Sequence, residues 1–544
     1  MRHGISKFAF LAFFLTLSFS ASAQSSDGSS YLATAMIGIV ALLALGAILM
    51  LADNLLRIEA KNIGADKDGA NFSLFPSRGE LFKSKTPDYT TGQSVTTLKK
   101  GHDILLEGEA VKELDTTTTA TTYAIKPGNF IGISPIPKVV VEVGSEVKAG
   151  DVLFFDKKNP SVKYVSPVSG EVVAVNRGAK RSIAEVVVLG DKEMKYRSYP
   201  SFDLESRSRG ELIDYLLETG IWPFIRQRPF DVVADPKDTP KSIFITTFDT
   251  APLAPDLNFV VEGRGEAFQK GLDVLNKLSG GTVHLGLNAG GDTPPSKIFT
   301  EATGVQKNWF RGPHPAGNVG VQIHHTDPIG SNDKVWVLGV QEVITLGALF
   351  TEGRFNAERV VVLAGAELKN PRYVKTYQGA NIENFVKDDL KEDNVRYVSG
   401  DVLSGKTIAN NGSLNFFDDQ LTVLSEGDQY ELFGWLLPLA PRPSVSNTFP
   451  NFLFPDLKFQ ANTNTHGEKR AFVVTGQYEK MLPMDIYPQH LMKSIIVNDY
   501  ERMEGLGIYE LSEEDVALCE FACTSKQPLQ QILRTGLEMM REQS

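Results

Sequence analysis

The alternation of apolar and polar positions opens with two apolar runs and then changes period several times along the chain. Phe8 to Phe19 is largely apolar, with Arg2, His3 and Lys7 before it and Ala21-Ser22-Ala23 after it. A basic start, an apolar stretch and a small-residue cleavage pattern predict a secretory signal peptide over residues 1–23. Leu32 to Leu51 is a second run, without a charge. Its twenty residues, at about 1.5 Å rise each, span about 30 Å, the thickness of a bilayer core. Residues 24–97 therefore read as a transmembrane helix (about 32–51) and a linker, whose part from 54 onward shows no period.

Residues 98–195 carry short β-branched or apolar runs, Val139-Val140-Val141, Val152-Leu153-Phe154, Val172-Val173 and Val186-Val187-Val188. Gly144, Gly150, Asn159-Pro160, Gly170 and Gly178 punctuate them, which predicts a small all-β unit. Residues 196–356 alternate strand and helix. Ser208-x-x-Glu211 is a capping box that opens a helix with Leu212, Tyr215 and Leu216 on one face, and Gly220 stops it. Ser242 to Phe248 reads as a strand, Glu266 to Lys277 as a helix and Thr282 to Leu287 as a strand, an α/β pattern. Residues 357–440 return to short strands, Val360 to Leu363, Val395 to Val398 and Leu421 to Leu424, around a helix-like stretch from Asn381 to Leu390. Residues 441–544 end in helices. Pro528 sits at a first turn, and Leu529, Ile532, Leu533 and Leu537 make an apolar stripe. No repeat period is present.

Composition changes the picture at the N-terminus. The two cysteines, Cys519 and Cys523, are too few for a large exported protein, which points to a reducing compartment for the bulk of the chain. A signal peptide points outward. Parity reconciles the two: the signal carries the mature N-terminus out, and the second run stops transfer and leaves the rest inside. Arg57, Lys61 and Lys67 follow the second run, while Gln24 to Tyr31 holds no Lys or Arg, as the positive-inside bias requires. The expected location is the bacterial inner membrane, single-pass, with the bulk on the cytoplasmic side. The competing reading is one long signal region with the rest exported. The net charge of -11, from 55 basic and 66 acidic residues, argues against a nucleic-acid partner.

The sharpest motif is a P-loop match at Gly400-Asp-Val-Leu-Ser-Gly405-Lys406-Thr407. A phosphate loop needs a helix starting at its Lys-Thr, and Ile408-Ala-Asn410-Asn411-Gly412 is turn chemistry instead. Asp401 would also repel a phosphate. Gly263-Arg-Gly265 lacks the third glycine of a dinucleotide fingerprint and reads as a turn leading into a helix. Gly290-Gly291 follows a strand, but Pro294-Pro295 blocks a helix start. His324-His325, read on a strand, would point to opposite faces and share no metal easily. His314 sits in the rigid loop Gly312-Pro-His-Pro-Ala-Gly317, either functional or a satisfied turn residue. Cys519 and Cys523 share a helical face, yet two thiols complete no four-cysteine iron–sulfur site. They are inert packing, or part of a site shared with another chain. No metal-ligand set and no arrangement for nucleophilic catalysis is found.

A resemblance covers most of the chain. Gly150 to Pro160, Ser166 to Gly170, Asn176 to Arg181, Gly220-Ile-Trp222, Arg226-Gln-Arg-Pro-Phe230, Ile243 to Leu253 with Asp249-Thr250, Gly312 to Gly317, Glu431 to Trp435 and Asp515 to Cys523 occur in order. Together they resemble the family of A subunits of the Na+-translocating NADH:quinone reductase. The resemblance implies a multidomain α+β chain: barrel-sandwich hybrid (lipoyl-like) over 98–195, Rossmann-like α/β domain over 196–356 with degraded phosphate glycines, β-grasp (SLBB-like) domain over 357–440, and a partly helical C-terminal domain over 441–544. Residues 1–97 are extra to the family pattern. It further implies no cofactor held by this chain, with flavins and an iron–sulfur centre in partner subunits, and a role in assembly and quinone handling. Trp222, Arg311 and His314 are the candidates for quinone or interface contact; Cys519 and Cys523 resemble the remains of a cluster domain. Two readings of other classes stand beside it, a membrane-anchored scaffold or export protein with a ligand-binding β-grasp domain, and a P-loop nucleotide enzyme.

Overall fold

The computed structural model describes residues 29–62, 87–291, 293–431, 441–445, 451 and 456–543. The predicted signal peptide, most of the predicted linker, and all of the Glu431–Trp435 motif except Glu431 lie outside these residues. The chain divides into two units, Met1–Thr86 and Pro87–Ser544.

Among the described residues of the first unit one helix, α1, runs from Ser29 to Asn62. Its 34 residues rise about 51 Å. The stretch Met36–Asp53 is long and apolar enough to cross a membrane. Ile37, Ile39, Val40, Leu42 and Leu43 are all exposed and point in all directions around the axis, so the helix is apolar around its circumference, unlike one built to bury a single stripe. The sequence placed residues 54–62 in a linker; they continue α1.

The second unit begins by stitching. β1 (Val95–Thr97), predicted as linker, pairs with a strand of the α/β sheet. Leu98, Ile104 and Leu106 then enter the C-terminal helical core, and β2 (Leu114–Asp115) joins a third sheet. Elements of two or three residues leave no readable period, so the sequence assigned 98–115 to the all-β unit.

The all-β unit itself follows: β3 (Thr122–Ile125), β4 (Lys138–Val139), β5 (Glu146–Val147), β6 (Val152–Phe155), β7 (Lys163–Val165), β8 (Gly170–Arg177) and β9 (Ile183–Gly190). They form a four-stranded sheet ordered β3-β9-β8-β5 and a three-stranded sheet ordered β4-β6-β7. Alternation works as the sequence reads: Val172, Val186 and Val188 are buried with Leu153 and Phe154, while Val173 points to water.

α2 (Arg209–Thr219) carries the predicted capping box at Ser208 and Glu211 and ends at Gly220 with φ 73°. Next come β10 (Arg226–Arg228), β11 (Val232–Val233), β12 (Ser242–Thr246), α3 (Gly265–Leu278), β13 (Thr282–Asn288), β14 (Gln306–Arg311), α4 (Val319–Thr326), β15 (Val335–Leu338) and α5 (Val340–Glu352). The seven-stranded sheet runs β1-β14-β13-β12-β15-β10-β11, parallel from β1 to β15 with an antiparallel edge. α3 packs on α5 at glycine distance: a Cβ on Gly347 would lie 1.7 Å from the Ala267 carbonyl, and one on Gly271 2.2 Å from that of Val343.

β16 (Glu358–Ala364), β17 (Arg372–Tyr377), β18 (Val395–Ser399), β19 (Lys406–Ile408) and β20 (Gln420–Ser425) form with β2 a six-stranded sheet ordered β19-β18-β20-β16-β17-β2. The helix expected over Asn381–Leu390 is one turn, Glu383–Val386. Asp388 takes φ 61° and Leu390 bridges Leu368, which turns the chain back toward the sheet. The C-terminal helices α6 (Pro488–Ile496), α7 (Glu513–Ala522) and α8 (Leu529–Gln543) enclose Leu491, Leu518, Leu529, Leu533 and Leu537; Ile532 is only partly buried.

Candidate functional site

Two of the polar residues singled out in the sequence, Arg311 and His314, lie where the parallel strands end. β14 finishes at Arg311 and leads through Gly312-Pro313 to His314. The His314 ring is 4% exposed, and its main-chain N–H donates to Asp103 (2.8 Å). Nδ1 lies 3.1 Å from the Thr250 hydroxyl, which also accepts the Gly317 N–H (3.0 Å). Nε2 is buried without a hydrogen-bond partner. Burial lowers the His314 pKa against the pull of Asp249, Asp401, Asp103 and Asp515, so the imidazole is neutral. Asp249 keeps solvent contact although protein crowds it closely; that crowding, with the charge of Asp401, raises its pKa. The arrangement sets an inward-facing imidazole near a carboxyl open to water, two groups that can each hold a proton.

Arg311 is half-buried at the same strand end, and its carbonyl accepts the Leu98 N–H (2.7 Å). The Gly290-Gly291 turn after β13 is capped by Tyr89, whose hydroxyl donates to the Gly291 carbonyl (2.8 Å) and whose ring lies 5.9 Å from that of Trp309. A carbonyl rather than a row of N–H groups faces outward there. The helix beyond Pro294-Pro295 is a single turn, Lys297–Thr300. Gly263 (φ 74°) and the N-cap Arg264 form the turn leading into α3.

Trp222 belongs elsewhere. It is fully buried, donates from Nε1 to the Ala234 carbonyl (2.7 Å), and stands edge-to-face on Trp336. It adjoins β10, four strands from β14, roughly 19 Å at sheet spacing. It offers no surface to a ligand.

The P-loop match is a hairpin. β18 and β19 pair antiparallel with Ser399 opposite Lys406. Asp401 accepts the N–H groups of Leu403 (2.6 Å) and Ser404 (3.1 Å), the donors a phosphate would need. His324 and His325 end helix α4, not the strand the sequence suggested; the β-branched residues before them fit either period over so short a run. His324 accepts the Asp485 N–H at Nε2 (3.0 Å), so its Nδ1 donates to Glu510 (2.6 Å). His325 donates from Nε2 to the Pro483 carbonyl (2.7 Å). Both dock the C-terminal helices. Among the described residues no group of three or more His, Cys, Asp or Glu side chains is placed to hold a metal. Cys519 and Cys523 are buried; burial pushes the Cys519 thiol up, and the Tyr478 hydroxyl lies 2.8 Å from Cys523 Sγ. A protonated, enclosed thiol such as that of Cys519 is a poor metal ligand.

A parallel sheet of this order takes ligands outside the carboxyl ends of its strands, between β12 and β15. Here the first turn of α5 is committed to the six-stranded sheet. Gln341 exchanges two hydrogen bonds with the Val360 backbone (2.8 and 2.9 Å). Arg359, 2% exposed, reaches Glu342 (2.5 Å) and Asp419 (3.5 Å). Burial raises Asp419 from 3.8 to about 6, opposed by Arg359. A carboxyl raised in the folded state contributes stability that is present at low pH and lost as pH rises from the unfolded value to the folded one. Asp419→Asn removes the loss. The variant should be more stable to unfolding than the parent at pH 8, by roughly 1–3 kcal/mol, and match it near pH 4. A gap that does not change with pH would show Asp419 ionised throughout.

His314 and Arg311 are thus neighbours, Trp222 is remote from them, and the cysteines lie in the C-terminal helical core. Sequence reasoning gave Asp249 and Thr250 no role, took Asp401 only as repelling a phosphate, and missed Asp103. Asp103 lies 211 residues from His314, and nothing local signals the contact.

In class, then, the chain is a multidomain α+β protein in which a barrel-sandwich hybrid and two sheets are stitched to a helical C-terminal region. Three family models match it: the NqrA N-terminal barrel-sandwich hybrid domain over 96–191, the NqrA second alpha/beta domain over 207–355, and the NQRA C-terminal domain over 360–410. The A subunit of the Na(+)-translocating NADH-quinone reductase of Psychromonas ingrahamii is 38% identical over 82% of this chain and 99% of its own. The corresponding protein of Pseudomonas aeruginosa is 39% identical and that of Yersinia pestis 36%, with the same coverage. A crystal structure of NAD+-reducing [NiFe]-hydrogenase aligns at TM-score 0.31 and 11% identity over 64% of this chain and 72% of that one, too slight a likeness to bear on the fold. The chain belongs to the family of A subunits of the Na+-translocating NADH-quinone reductase. It is part of a respiratory complex that oxidises NADH, reduces quinone and pumps Na+.

Proposed function

We propose that this chain contributes assembly and quinone handling to the complex, holds no redox group of its own, and works beside subunits that carry flavins and an iron–sulfur centre. The observation that carries the quinone role is His314: a buried neutral imidazole on Thr250, with one ring nitrogen unpartnered and Asp249 open to water beside it. Reduction of a quinone consumes protons, and a neutral imidazole can relay them, taking one up at one ring nitrogen and giving one from the other. Arg311 stands at the same strand end as a donor for a carbonyl oxygen.

The test is a pair of rates on the purified complex. Without this chain, quinone reduction should be lost and NADH oxidation by an artificial acceptor should survive. His314→Gln should lower the quinone step about tenfold, roughly 1.4 kcal/mol of barrier height, and leave the acceptor rate alone. Loss of both rates would make the chain an NADH-binding subunit; loss of neither would make it a bystander.

The same proposal places α1 across the inner membrane, with residues from 54 onward on the cytoplasmic side. The support is an apolar helix exposed on every face, followed by Arg57, Lys61 and Lys67. Protease should spare the bulk of the chain in intact spheroplasts and digest it in inverted vesicles. Digestion from outside would overturn the orientation.

A further inference from the structure

Three loops of the barrel-sandwich hybrid bring together a positive charge that neither the fold nor the His314 site uses. They are residues 134–138, residues 156–159 and the tip of the β8–β9 hairpin, 176–185. The Pro135 carbonyl accepts the Ile183 N–H (3.1 Å), and Asp156 accepts those of Ser134 (3.3 Å) and Lys158 (3.1 Å), so the three adjoin. Together they hold Lys138, Lys157, Lys158, Arg177, Lys180 and Arg181 against the carboxylates of Asp156 and Glu185. All six basic residues are exposed. Asp156 is buried, and Glu185 accepts from the Asn176 amide (2.8 Å). None of the six has a carboxylate within salt-bridge distance among the described residues. A basic face therefore stands on a chain whose overall charge is -11.

The hairpin tip carries its charges at a cost. The Ser182 N–H donates to the Ala179 carbonyl (3.1 Å), and the two residues between, Lys180 (φ 51°) and Arg181 (φ 63°), are both left-handed. That is the pattern of a type I′ turn, which Asn-Gly forms with least strain. Long side chains avoid this backbone region. Nothing within the chain calls for them: both are exposed, and the Arg177 guanidinium reaches only the Arg181 main-chain carbonyl (3.3 Å), which any residue supplies. A local rule broken without an internal gain points to a gain outside the chain.

We infer that this face docks on an anionic phospholipid surface, the cytoplasmic leaflet of the membrane that α1 crosses; this rests on the placement of α1 proposed above. Protein interfaces are depleted of lysine at their centre and rely on aromatic or arginine anchors in pockets. Four of these six residues are lysines, and the loops expose one large apolar side chain, Ile136. Mobile headgroup phosphates meet such charges in any arrangement. Residues 63–86, between α1 and the second unit, have a contour of at most about 85 Å. The tether therefore leaves the choice of face to charge.

The test uses the full chain in lipid nanodiscs. Cys519 and Cys523 are buried, so a fluorophore on Ala179→Cys labels the hairpin tip alone. Lipid with a nitroxide on its headgroup quenches the fluorophore on contact. Quenching should be strong in discs containing phosphatidylglycerol, weak in phosphatidylcholine alone, and reduced by salt. Lys180→Asn with Arg181→Gly suits the turn better, so the unfolding temperature should not fall. Docking should nonetheless weaken roughly fivefold for each charge removed. Lys157→Gln with Lys158→Gln, which leaves the turn alone, should weaken it similarly. Quenching that is equal in the two lipids, or that ignores both double substitutions, would overturn the proposal. So would equal quenching of a label at Ser331→Cys, exposed before β15. Lipid-independent quenching, with the Asn-Gly variant released from the partner subunits, would instead assign the face to an acidic protein. The two leaflets of a disc are alike, so the result does not depend on which way α1 crosses, and retention in phosphatidylcholine discs reports α1 by itself.

Discussion

Arg228→Ala should release the C-terminal helices from the α/β sheet and destabilise their docking by about 3–5 kcal/mol, the cost of leaving a buried charge without its partner. Arg228 is fully buried in β10. Its Nη1 meets Asp515 at 3.1 Å, its Nη2 meets Glu514 at 2.6 Å, and Nε lies 3.7 Å from Asp231. Asp515 is as deeply buried, and its other acceptor contacts are the Ser512 N–H (2.9 Å) and hydroxyl (3.2 Å). Remove the guanidinium and Asp515, at the start of α7, is enclosed without its counter-charge beside the partly exposed Glu514. Hydrogen exchange should show residues 488–543 losing protection while β12 to β15 keep theirs. Arg228→Lys should recover only part, because one ammonium cannot reach both carboxylates as the planar fork does. Arg228→Met combined with Asp515→Leu and Glu514→Gln should recover more, since it removes the charges on both sides. A single Arg228→Ala change costing under 1 kcal/mol would mean that water reaches the network.

That network also shows why parts of the fold could be read from the sequence and parts could not. Arg226-Gln-Arg228 and Asp515 to Cys523 were visible as motifs, but pairing across 287 residues has no local signature. Helix α2 was legible at both ends because Ser208, Glu211 and Gly220 act on their own neighbours. The P-loop match was set aside for the turn chemistry of 408–412, whereas the way Asp401 closes the turn at 400–405, bonding the N–H groups two and three residues ahead, was not read. Asn381–Leu390 failed because the end of its one helical turn is set by Asp388 and by the bridge from Leu390 to Leu368, a tertiary contact. β1 and β2 failed because two or three residues carry no alternation to detect, and their partners β14 and β17 lie far along the chain. At the candidate site the rigidity of the His314 loop was legible, whereas its contacts with Asp103 and Thr250 come from other segments.

Trp222 gives the sharpest separation between a ligand contact and a core residue, because sequence motif and packing point in different directions there. The ring is completely enclosed, with Trp336 edge-to-face at 5.6 Å and 84°, and Trp336 in turn donates to Gln227 (3.0 Å). Trp222→Ala opens a cavity the size of an indole in a close-packed region and should cost about 3–5 kcal/mol. Trp222→Phe keeps most of the volume but leaves the Ala234 carbonyl without its donor, which should cost about 1–3 kcal/mol. In complexes that still assemble, both variants should show the parent's KM for quinone, since the ring never meets the ligand. A contact residue would behave in the opposite way: Trp222→Phe would raise KM for quinone by several-fold and leave the unfolding temperature where it was. Measuring both quantities on the same preparation decides between them, because loss of packing acts on the folded fraction before any substrate binds, whereas loss of a contact acts only once quinone is present.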